Sequence, residues 1–116
     1  MSENLELYHL DKLIGFVGDD PAAIANMVGI FLQTTPELLE TINESFNQKY
    51  SEKIAKAAHS LKPTLDVFGI DSLHATIRRI EQKARTEEFD NELFELINKL
   101  NIVLEEVFNS LKINYL

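Results

Sequence analysis

The chain contains no cysteine and no tryptophan, only four glycines and three prolines, and no surplus of positive charge. Without cysteine there are neither disulfide staples nor thiolate metal sites, and the composition fits a reducing compartment. Few glycines and prolines mean few places where a helix must stop. No apolar run approaches the roughly 18 residues of a membrane span. The first twenty residues hold Glu3, Glu6, Asp11, Asp19 and Asp20 in place of a basic start and an apolar run, which argues against a signal peptide. A soluble, cytoplasmic protein that binds no membrane is expected. A net charge of -8 argues against nucleic acid as a partner, because neutralising phosphates takes an excess of cations.

At 116 residues the chain is expected to form a single domain over 1–116, long enough for a real core but too short for a nucleotide-binding enzyme domain and a second module. The charge is unevenly spread. Residues 49–85 hold eight basic and four acidic side chains, and the remainder holds three basic and fifteen acidic. That cationic third suits either a small anion or an acidic patch on a partner, although a solvated helix face would look the same.

The apolar residues recur with helical spacing throughout, and strand alternation is missing. A short helix is predicted from about Leu7 to Phe16, ended by Gly15 and Gly18. Asp20 and Pro21 then supply a cap residue and a first-turn proline. The stripe Ile24, Met27, Val28, Phe31, Leu32 resumes at Leu38, Leu39, Ile42 and Phe46, on either side of Thr35-Pro36. Either one helix continues through a kink at Pro36 or Thr35 caps a second one; the unbroken stripe favours the kink. A third helix covers about Ser51 to Val67 and is closed by Gly69. A fourth starts at Asp71 or Ser72 and runs to about Arg85. Asp90 caps a fifth that carries Leu93, Ile97, Leu100, Leu104, Val107 and Leu111. Short connections between long amphipathic helices predict an all-α fold: an up-and-down antiparallel four-helix bundle with a short additional N-terminal helix.

The segment AAHSLKPTLDVFGI, Ala57 to Ile70, holds the residues with the most chemistry. With Ile54 at zero and about 100° per residue, Ala57, Ala58, Leu61, Leu65 and Phe68 fall within about 60° of one line and form the core face. Ala55, His59, Lys62 and Asp66 fall between about 80° and 140°, with Pro63 near 180°. His59 therefore points to solvent or into the groove beside a neighbouring helix. Lys62 lies one turn away, within reach of any anion held on the imidazole. Pro63 crowds the carbonyl of His59 and is expected to loosen that turn. Small residues around the histidine, Ala55, Ala57, Ala58 and Ser60, would let another protein approach, while helix packing already accounts for Ala57 and Ala58.

A neutral imidazole at pH 7 has one free ring nitrogen and can take up a phosphoryl group and pass it on. Such use calls for a group that fixes the tautomer. On the fourth helix Glu81 lies about 65° from the centre of the stripe Ile70, Leu73, Ile77, Ile80 and Ala84, a boundary position from which it could reach a neighbour. Arg85, one turn further, could contact a phosphate or a partner, or could simply form a surface ion pair with Glu81. His74 has no comparable surroundings and reads as a plain surface residue. The three histidines, without HExxH or paired Glu-x-x-His motifs, do not make a bundle metal site. Neither a glycine-rich phosphate loop nor a G-x-S-x-G turn is present.

The run AAHSLKPTLDVFGI followed by DSLHATIRRIEQKAR resembles the histidine-containing phosphotransfer (HPt) domain of bacterial multistep phosphorelays. Its recurring histidine, lysine three on and glycine ten on are here His59, Lys62 and Gly69. The stretches GDDPAAIANMVGIFLQTTPELLETI and LDKLIGFVG are similar to the family's long second and short leading helices. The resemblance implies that His59 is the phosphoryl acceptor, that Lys62 assists electrostatically, and that Glu81 hydrogen-bonds the imidazole with Arg85 nearby. It also implies receiver domains of hybrid sensor histidine kinases and of response regulators as partners. No cofactor is expected in this chain, and Mg²⁺ would belong to the receiver. The protein would be a monomeric phosphoryl carrier without an ATP site, not an enzyme. Pro63 stands where many members carry glycine, and Asp66 where a small residue is usual. Both lie on the expected docking face, where a carboxylate would repel an acidic partner. The competing readings are a non-catalytic helical interaction module and, more weakly, a fragment of a dimeric histidine kinase.

Overall fold

The computed structural model of the protein describes residues 6–116, so the first five residues of the expected 1–116 domain lie outside the described residues. The chain is helical: α1 (Asp11–Val17), α2 (Pro21–Gln48), α3 (Ser51–Val67), α4 (His74–Arg85) and α5 (Asn91–Tyr115), with a 3₁₀ turn at Asp71–Leu73 ahead of α4.

Helix α1 starts later than its sequence suggests, and Gly15 lies inside it. The residues expected to open it are drawn off by tertiary contacts. Leu10 is buried, the Tyr8 hydroxyl lies 2.9 Å from Ser110 Oγ, and His9 Nε2 lies 2.8 Å from Asp71 Oδ2. These contacts fix the segment against the rest of the molecule, and a seven-residue helix has too little propensity of its own to compete. Gly18, at φ 85°, ends α1, and the chain turns by 115° into α2. Pro21 takes the first position of α2, while the Asp20 side chain makes no capping bond. Pro36 sits inside a single continuous α2. Thr35 is therefore buried within the helix and caps nothing. Among the described residues no single helix is long and apolar enough to cross a membrane.

Each long helix packs against two others: α2 on α3, α3 on α4, α4 on α5, and α5 back on α2. Residue numbers rise along one member of a pair as they fall along the other. Phe46 meets Phe94, Asn43 meets Asn101 and Phe31 meets Phe108 between α2 and α5. His59 meets Glu81 and Asp66 meets Arg78 between α3 and α4. The apolar stripes read from the sequence converge on one core, with Leu61, Leu65, Ile77, Ile80, Leu100 and Leu104 fully buried. Phe31 and Phe68 stack at 4.3 Å between ring centres. The Asn43 and Asn101 side chains exchange reciprocal amide bonds of 2.9 Å, satisfying two polar groups between α2 and α5.

At the α4–α5 corner Lys83 is only 1% exposed. Its Nζ lies 3.2 Å from Glu88 Oε1, 2.8 Å from Asp90 Oδ2 and 3.1 Å from Glu92 Oε1. The hydrogen bond to Asp90 outweighs burial and raises the Lys83 pKa. Asp90 also caps α5, accepting a bond of 3.0 Å from Leu93 N. Lys83→Met leaves three facing carboxylates without their shared cation, so its melting temperature should fall. Part of the loss should return in 1 M salt, where screening shortens the reach of the repulsion.

Candidate functional site

The site lies where α3 faces α4. His59 projects from α3 because the core arc of that helix is filled by Ile54, Ala58, Leu61 and Leu65, leaving the imidazole 64% exposed. Glu81 sits opposite on α4 with its side chain only 8% exposed. His59 Nδ1 is 3.0 Å from Glu81 Oε2, and Lys62 Nζ is 2.8 Å from Glu81 Oε1. Arg85 donates through Nε, at 3.2 Å, and through Nη2 to Oε2. One carboxylate thus gathers all three of the residues to which the sequence pointed.

The protonation state follows from these contacts. Burial pushes the Glu81 carboxyl up, but Lys62, Arg85 and His59 together outweigh it and lower its pKa to about 2. An ionised carboxylate can only accept hydrogen bonds, so Nδ1 of His59 is the nitrogen that carries hydrogen. In the neutral imidazole the lone pair then lies on Nε2, which has no hydrogen-bond partner among the described residues. The arrangement presents a nucleophilic nitrogen to solvent and a fixed negative charge behind the ring.

The Glu81 shift also carries a stability consequence. A carboxyl whose folded pKa is depressed from 4.5 to about 2 stabilises the fold above pH 4.5, and that contribution is lost as pH falls towards 2. In urea denaturation between pH 5.5 and pH 2.5, the wild type should lose on the order of 2 kcal/mol more than Glu81→Gln, which has no carboxyl to titrate. Parallel curves would contradict the assigned contacts.

Other expected site residues are placed differently. Ala55 is 6% exposed, beside Ala84 and Arg85, and cannot form part of a flat exposed surface. Because α3 is covered on two flanks, by α2 and by α4, its buried arc is wider than a single stripe predicts. Ala57 and Ala58 are buried too, so Ser60 is the exposed small neighbour of His59. Asp66 does not stand free: Arg78 Nη2 is 2.8 Å and His74 Nδ1 3.2 Å from its carboxylate oxygens. Partial burial acts against these two partners, which still hold the Asp66 carboxyl below the ordinary range. His74, read as a plain surface residue, is thus part of an ion-pair cluster. Gly69 adopts φ +63° directly beneath His9.

Pro63 is exposed and α3 runs on through it. It lines an apolar groove of about 240 Å³ between α2 and α3, with Met27, Ile30, Phe31 and Val67. Sequence reading missed this groove. Its signal was Ile30, an apolar residue off the α2 core stripe and 45% exposed. Among the described residues no cluster of three metal-ligating side chains occurs.

Fold and site together define a helical domain that displays a largely exposed histidine held by a buried carboxylate. A family model described as Hpt domain matches residues 26–110, and the chain belongs to that family. Its members are phosphoryl carriers that interact with receiver domains in phosphorelays. Searches of curated proteins and of solved structures returned no match.

Proposed function

We propose that His59 accepts a phosphoryl group from the phospho-aspartate of one receiver domain and delivers it to the aspartate of another. The partners in this reading are receiver domains of hybrid sensor histidine kinases and of response regulators, and the setting is the cytoplasm. The carrier would be a monomer built as an up-and-down antiparallel four-helix bundle over residues 1–116, with α1 as the additional short helix. The opposed residue pairings between α2 and α5 and between α3 and α4 support that topology.

The observation that carries the reading is the pairing of His59 Nδ1 with the ionised Glu81, which leaves Nε2 without a partner among the described residues on a largely exposed ring. As the acyl-phosphate P–O bond breaks, its electron pair goes to the departing aspartate, and the Nε2 lone pair forms the new P–N bond. Nδ1 keeps its hydrogen, so the ring becomes cationic, and the negative charge of Glu81 sits where that positive charge develops. The return step reverses these electron movements. Positioning does most of the work, because the transfer asks little covalent chemistry of the helical protein. Lys62 would balance the phosphate charge. Pro63 and the groove beside it offer an apolar centre for docking, and Asp66, neutralised by Arg78, offers little repulsion. Gly69 would act structurally, by shaping the turn after α3.

The test is phosphorylation by a phosphorylated receiver domain with Mg²⁺, followed by chemical analysis of the label. An acid-labile, alkali-stable phosphoryl group on the protein is the expected result. Glu81→Ala and Lys62→Ala should each slow its formation while far-UV circular dichroism stays unchanged. Unlabelled wild type, with receivers and with small phosphoryl donors alike, would favour a non-catalytic interaction module.

A further inference from the structure

We propose that Arg85 is a positioning residue that keeps Glu81 paired while Lys62 leaves that carboxylate for a phosphoryl group on His59. This rests on the reading of His59 as phosphoryl acceptor. It gives the Arg85–Glu81 ion pair a part in the transfer, where the resemblance implied only that Arg85 is near the site.

The two oxygens of Glu81 are used unequally. Among the described residues Oε2 takes His59 Nδ1 and both the Nε and Nη2 groups of Arg85, whereas Oε1 takes Lys62 alone. One negative charge is therefore shared by two full cations, one more than it needs. Lys62 starts from the same helix as His59, three residues on, and its long stem can carry the ammonium along that face. It gives up one contact in doing so. Arg85 would give up two, from Nε and Nη2, both on the oxygen that also fixes the imidazole. Lys62 is thus the cation free to move.

Its departure is tolerable only because Arg85 stays. Glu81 is largely buried, and removing the partner of a buried charge is strongly unfavourable when nothing replaces it. With Arg85 in place, Glu81 remains ionised and keeps its bond to Nδ1 while the phosphoryl group acquires the lysine. The cation count follows the chemistry: one cation suffices for the resting carboxylate, and the second is a reserve for the incoming anion.

Phosphoramidate gives a test that needs no receiver. Its P–N bond breaks with ammonia leaving, and a new P–N bond forms at His59 Nε2, observable by ³¹P NMR. Arg85→Met should slow formation of phosphohistidine about tenfold in the wild-type chain. In a Glu81→Gln chain the same change should cost less than about twofold, because no carboxylate remains to be paired. Lys62→Met should cost about tenfold in both chains, since the lysine acts on the phosphate itself. Arg85→Lys should recover most of the wild-type rate. Circular dichroism and melting curves identify which variants remain folded, so that a loss of rate is not a loss of structure. An equal effect of Arg85→Met in both chains would overturn the proposal, since Arg85 would then contact the phosphate directly. No effect in either chain would also overturn it. Failure of the wild type to form any phosphohistidine is a separate outcome, which removes the underlying assignment of His59.

Discussion

His59→Gln is expected to reduce phosphoryl uptake to the level of a protein-free control, from receiver domains and from phosphoramidate alike. Glutamine is close in length and can still donate to Glu81 through its side-chain amide, but it has no nucleophilic lone pair on nitrogen. The other histidines are poorly placed to substitute. His9 has Nε2 engaged by Asp71 and Nδ1 buried; His74 also sets Nδ1 against a carboxylate, Asp66, but has Ile77 three residues on, where His59 has Lys62 to balance a phosphate. Because position 59 is largely exposed, stability should change by less than about 0.5 kcal/mol. Radiolabel or ³¹P NMR checks the first part and urea denaturation the second. Acid-labile label persisting on the glutamine variant would remove His59 from the centre of the mechanism.

The largest stability effect is expected at Gly69. Its φ of +63° lies in the left-handed region, which costs an L-residue roughly 1–2 kcal/mol. A Cβ there would also fall 2.2 Å from the backbone oxygen of His9 and 2.8 Å from its nitrogen. Backbone cannot rotate aside as a side chain can, so the segment from Leu7 to Leu10 would have to move. Leu10 is buried, and Tyr8 and His9 are tied to Ser110 and Asp71, so that movement undoes several contacts. Gly69→Ala should therefore lose about 2–5 kcal/mol in urea denaturation. Gly69→Asn separates the two causes. Asparagine tolerates the left-handed conformation better than alanine but brings the same Cβ, so it should be nearly as damaging. A loss below about 1 kcal/mol for both would mean that the N-terminal segment is not held against this turn.

These two positions show how differently parts of the molecule could be read from the chain. The core residues of α5 were legible because the run Leu93, Ile97, Leu100, Leu104, Val107, Leu111 repeats at helical spacing, and all six are buried. The same regularity placed His59 outside the core arc of α3 and Glu81 at the edge of that of α4. The ends of α3 and the capping of α5 by Asp90 were legible too, because they depend on residues close in sequence.

Other features depended on contacts between distant segments. Helical spacing gives the direction of a side chain but not how many neighbours cover a helix, so it exposed Ala55, which α4 buries. It says nothing of Lys83, over which Glu88, Asp90 and Glu92 close at the corner. It carried α1 back to Leu7, because local propensity contains nothing of Ser110 or Asp71, some hundred and some sixty residues away. At the site itself, the identities of the histidine, lysine, glutamate and arginine were present in the sequence. Their sharing of one buried carboxylate arises only when α3 and α4 pack, for hydrogen bonds act over about 3 Å and the residues that make them are 22 positions apart.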